Sequence, residues 1–92
     1  MSNAYIYVFS PKSFKQEDVG KFLDTLDGIQ TWFYSMPNSV FIIGTVPAKT
    51  LSKLLVNKFG QHRHYVGLLS KTARAGWMPK DHWALLPSEK KA

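Results

Sequence analysis

The 92-residue chain predicts an α+β sandwich, with two helices laid on one side of a four-stranded antiparallel sheet. Three observations carry this. Short stretches rich in β-branched and aromatic residues read as strands. Two longer segments repeat their apolar residues every three or four positions, as amphipathic helices do. The order of the two kinds along the chain is β-α-β-β-α-β.

The first strand is Tyr5–Phe9, closed by Ser10 and Pro11. Ser13 and Gln16 have the spacing of a capping box, in which each side chain satisfies a free amide at the helix start. Phe14, Val19, Phe22, Leu23, Leu26 and Ile29 then form one apolar stripe, and Gly28 suits the left-handed dihedrals of a helix end. Two strands follow, over about 30–35 and 39–45, joined by the turn residues Met36, Pro37 and Asn38. The run Val40–Ile43 is continuously apolar, as a central strand is. Pro47 pre-sets the first turn of a second helix that buries Leu51, Leu54, Leu55 and Phe59 and stops at Gly60. A fourth strand spans about 62–69. Two crossover helices around a central hairpin define the ferredoxin-like βαββαβ arrangement. It fills the chain as one domain over 1–92, with a C-terminal tail able to pair with a partner subunit and a loose end over 86–92.

Composition narrows the function. No cysteine is present, which removes disulfides and thiolate metal sites. The N-terminus lacks a basic n-region, and its apolar run is far shorter than the ~20 residues that span a bilayer, so no membrane association is expected and the expected location is cytoplasmic. The net charge is +6, unevenly spread. Residues 1–48 balance three lysines against four acids, whereas residues 49–92 carry nine Lys/Arg against Asp81 and Glu89. Such a half-molecule attracts polyanions, and equally serves as a solvated, solubilising surface.

Candidate chemistry is sparse. His62 and His64 share one face of a strand, which is ligand spacing, but no third ligand stands nearby in sequence; no metal and no cofactor are expected. No nucleophile elbow, Walker loop or dinucleotide fingerprint occurs. Glu17, Asp18, Asp24 and Asp27 read as surface charges on the first helix, the first two favouring its N-terminus. The best binding constellation is Lys49, Lys53, Lys58, Arg63, Lys71 and Arg74 with nearby Tyr65 and Trp77, the first three lysines along one side of the second helix and Arg63, Lys71 and Arg74 flanking the last strand. Cations so arranged contact phosphates without reading bases. Stacking of single-stranded bases on the sheet ranks lower, because no aromatic RNA-recognition strand motif is found.

Helices on one face leave the other face of the sheet bare, with Trp32 or Phe33 and Phe41 or Ile42 contributing to it. A second copy of the chain is the simplest cover, with Trp32, Phe41, Trp77 and Trp83 as interface residues. The alternative is that the tail packs on its own sheet.

The stretches "QTWFYSMPNSVFII", "TVPAKTLSKLL", "HYVGLLS" and "GWMPKDHW" together resemble the CRISPR-associated integration-adaptor family, closest to its small stand-alone SinR-like relatives. The resemblance implies a ferredoxin-like homodimer in which the segment after the fourth strand pairs with the other subunit, and double-stranded nucleic acid lying along a basic surface. In some members it also implies a nuclease metal held by an aspartate at the end of the first strand. Ser10 stands there in this chain, and a hydroxyl is a poor ligand for a hard divalent cation. The expected function is therefore a non-catalytic, homodimeric nucleic-acid-binding or nucleoprotein adaptor. The alternative is a protein-interaction module or inhibitor using the aromatic face and tail, and a metal-dependent nuclease ranks last.

Overall fold

In the computed structural model, which describes residues 2–10, 14–73 and 75–86, the sheet carries both layers of the protein. The elements are β1 (Asn3–Phe9), α1 (Gln16–Leu23), β2 (Ile29–Phe33), β3 (Ser39–Gly44), α2 (Ala48–Phe59), β4 (His64–Leu68) and a short α3 (Lys80–Leu85). The strand order is β2-β3-β1-β4, and every neighbouring pair is antiparallel.

The period-2 alternation of β1 divides the core. Tyr5, Tyr7 and Phe9 point to the helices and join Val40, Ile42, Val19, Leu23, Leu51 and Leu55 in the larger cluster. Ala4 and Ile6 point the other way, with Phe41 and Ile43 of β3. Here α1 contacts β2 and β3, and α2 contacts β4, so each helix covers its own half of the sheet.

Several local expectations are corrected. α1 is shorter than its apolar stripe: it ends at Leu23, and Gly28, at φ 86°, instead makes the turn into β2, where its carbonyl accepts the Thr45 amide at 2.8 Å. Phe14, Leu26 and Ile29 lie outside the helix but still pack into the larger cluster. Ser13 lies outside the described residues; the Asp18 carboxylate accepts the Lys15 amide at 2.8 Å and caps the helix start. Gln16 donates its side-chain amide to the carbonyls of Met36 and Ser39, tying α1 to the β2–β3 turn. α2 starts after Pro47 and stops at Gly60, whose φ of 84° suits a residue without a Cβ.

The second face of the sheet is not bare. α3 and the segment before it fold back over it, and Met78, Trp83 and Leu86 pack on Ala4, Phe33, Phe41 and Ile43. Leu86, expected at the start of a loose end, is only 6% exposed; the rest of that end lies outside the described residues. His82 holds the roof at the β2 end, its ring 5.1 Å from that of Phe33 and its Nδ1 sharing a hydrogen bond of 2.9 Å with the Ser35 hydroxyl. Phe41 is thus buried and Trp83 half-buried against their own chain, while Trp77 stands 90% exposed. Trp83→Ala should lower the unfolding free energy of the single chain by about 2 kcal/mol or more, since it strips the roof's largest apolar contact, whereas Trp77→Ala should leave it unchanged at concentrations where the chain is monomeric. Urea titration of both variants checks this.

Candidate nucleic-acid interface

Topology converts the uneven charge of the sequence into an uneven surface. α2 begins after β3, whose end at Gly44 pairs with Asn3, and β4 ends opposite Tyr5. Lys49 and Lys71 therefore belong to one end of the α2–β4 edge. Arg63 belongs to the other end, beside Ser10, whose amide donates to the Arg63 carbonyl at 3.0 Å. Lys53 lies between, one helical turn after Lys49, and both are exposed and opposite the buried Leu51 and Leu55. From residue 49 to residue 86, the described cations Lys49, Lys53, Lys58, Arg63, Lys71 and Lys80 face one carboxylate, Asp81. The acids of the N-terminal half, Glu17, Asp18, Asp24 and Asp27, sit on α1 and its following turn, over β2 and β3.

One described member of the expected constellation does not join this row. Lys58 is turned toward α1, with its Nζ 6.0 Å from the centre of the Phe22 ring. Nine residues beyond Lys49 is two and a half helical turns, which places it on the opposite side of α2. Arg74 lies outside the described residues. Of the expected interface residues, Trp32 is corrected to the helix-covered face: it pairs with Ile42, packs its ring over Gly20 and donates from Nε1 to the Asp24 carboxylate at 2.7 Å. Phe33, not Trp32, shares the outer face with Phe41, and their rings stack at 4.8 Å.

The two histidines are committed elsewhere. A carbonyl can only accept, so the 2.7 Å contact of His62 Nδ1 with the Gly60 carbonyl puts the ring proton on Nδ1. His62 Nε2 then accepts from the Tyr7 hydroxyl at 2.6 Å. By the same logic His64 donates from Nδ1 to the His62 carbonyl at 2.9 Å and accepts at Nε2 from the Ser52 hydroxyl at 2.6 Å. Both imidazoles thus have each nitrogen engaged, with ring centres 4.6 Å apart. Among the described residues, no group of three or more His, Cys, Asp or Glu side chains is placed to hold a metal ion. With only a main-chain carbonyl behind His64, the Ser52–His64 pair serves to tie α2 to β4. This chain of bonds links β1, α2 and β4 just below Arg63, and sequence reading missed it because its partners Tyr7 and His62 meet only through the tertiary fold.

Burial pushes the Tyr7 phenol well above the usual tyrosine range. A proton held more tightly in the folded chain than in the unfolded one contributes stability below the unfolded value of about 10, and that contribution is lost as pH rises toward the folded value. Tyr7→Phe should therefore cost roughly 1–3 kcal/mol at neutral pH, by leaving buried His62 Nε2 without its donor, and should flatten the decline in stability above pH ~10. Urea unfolding at pH 7 and at alkaline pH reads both effects.

The site rests on this chain's own geometry, since no family model, curated protein or solved structure matches the chain.

Proposed function

We propose that the chain is a non-catalytic nucleic-acid-binding or nucleoprotein adaptor that grips phosphates along the α2–β4 edge and works as a homodimer. The observation that carries this reading is the separation of charge across one sheet: acids over β2 and β3, and Lys49, Lys53, Arg63 and Lys71 along the opposite edge. Exposed Lys49 and Lys53 on α2, with exposed Arg63 just before β4 and half-buried Lys71 just beyond it, suit a polyanion. The strand order and the two crossover helices are those of a ferredoxin-like sandwich, the fold this reading assumes.

A second reading, a protein-interaction module, is favoured by one specific observation. Trp77 stands beside an apolar groove of about 340 Å³ lined by Ile6, Met36, Leu69 and Met78. The same patch is where a second copy of the chain would dock, because Phe41 and Trp83 are already packed against their own chain. Native mass measurement should therefore find a dimer that Trp77→Ala shifts toward monomer.

The phosphate reading makes its own prediction. The protein should be retained on a heparin or duplex column at low salt, and Lys53→Glu combined with Arg63→Glu should abolish retention. In solution the slope of log affinity against log salt should fall by about 2, one for each lost phosphate contact. A wild-type chain that no polyanion retains moves the assignment to the protein-interaction reading.

A further inference from the structure

The roof formed by α3 stops short of one corner of the outer sheet face. It covers Ala4, Phe33, Phe41 and Ile43, but Val8 of β1 remains 44% exposed and Tyr65, its register partner on β4, 67% exposed. An exposed tyrosine on an edge strand is ordinary. The way this one is seated is not.

Tyr65 and Gly67 are two apart on β4 and so share a face. A Cβ built on Gly67 would lie 2.5 Å from Tyr65 Cε2 and 2.9 Å from its hydroxyl oxygen. The far edge of the ring thus occupies the space in which a side chain at 67 would stand. Gly67 lets the ring lie down along the strand instead of standing out from the sheet, which leaves a broad aromatic surface toward solvent. Beside it is a shallow depression that brings together Val8, Ser10, Asn38, Arg63 and Tyr65. Arg63 supplies a cation to this depression; Ser10 and Asn38, both exposed, supply a hydroxyl and an amide.

We propose that this corner seats an unpaired nucleobase, stacked on Tyr65, with Arg63 engaging the adjoining phosphate. The proposal rests on the nucleic-acid reading above and names its partner as a single strand. Stacking on an aromatic plane tolerates any base, but requires a base whose face is free, which a duplex does not offer within its stack. Charge complementarity selects the occupant. Exposed Arg63 on the rim attracts a polyanion, whereas a second copy seated symmetrically at this corner would set its own Arg63 against this one. Ser10 and Asn38 border the seat where the edge of a stacked base would lie, without imposing one base.

The test is fluorescence anisotropy of the full chain with a labelled oligothymidylate, a hairpin duplex and heparin at one fixed salt concentration. The single strand should bind more tightly than the duplex. Tyr65→Ala should weaken single-strand binding roughly ten-fold while leaving heparin binding unchanged, and Tyr65→Phe should retain it. Gly67→Ala, which changes no charge and no aromatic residue, should weaken it similarly by lifting the ring. In the unsubstituted chain, the Tyr65 ring protons should shift upfield as oligothymidylate is added, a readout that needs no variant to fold. Retention of heparin and duplex with no Tyr65 shift and no effect of Tyr65→Ala would overturn this inference and leave the phosphate-binding edge standing. Failure of the wild type to bind any of the three polyanions would overturn both.

Discussion

The structure depends on one constraint: a four-stranded sheet that is apolar on both faces, served by two crossover helices that reach only one of them. β1 and β3 alternate Tyr5, Tyr7, Phe9, Val40 and Ile42 toward the helices with Ala4, Ile6, Phe41 and Ile43 away from them. Leaving the second set in water would forgo roughly 25 cal/mol for each Å² of apolar area. The segment after β4 closes that face with Met78, Trp83 and Leu86. Two of the aromatic residues that look like anchors for another molecule are consequently spent inside the chain.

The proposed function falls to what the helices and the roof leave open. The α2–β4 edge is one such place, where the fold collects cations and keeps the acids of α1 on the far side. The corner at Val8 and Tyr65 is the other, and Arg63 belongs to both. The backbone around Arg63 is well held: its carbonyl accepts from Ser10, and its neighbours His62 and His64 are locked to Tyr7 and Ser52. An edge fixed by buried hydrogen bonds would lose little freedom on binding the proposed ligand.

Much of this was legible in the sequence, and the failures have physical causes. Continuous apolar runs and three- and four-residue spacings located β1, β3 and α2 because those elements carry their own period. The face of β2 was not legible. A register irregularity between Ile29 and Thr31 inserts a step into the alternation, so Trp32 sits with Ile29 on the helix side and Phe33 on the other. Lys49 and Lys53 share one side of α2 as their four-residue spacing implies, while a nine-residue spacing puts Lys58 half a turn out of phase, on the side facing Phe22. α3 went unrecognised because six residues are too few to show a period; Pro79 at its start and the three-residue step from Trp83 to Leu86 were its only marks. The seat of Tyr65 over Gly67 needs the strand's backbone to be seen at all.

Isotope-filtered nuclear Overhauser spectroscopy on a mixture of labelled and unlabelled chains tests the roof most directly. The account predicts contacts from the Trp83 indole and Leu86 methyls to Phe41 and Ile43 within the same chain, at full strength in dilute solution. Contacts seen only between differently labelled chains would show that the cover comes from a partner, and would contradict it.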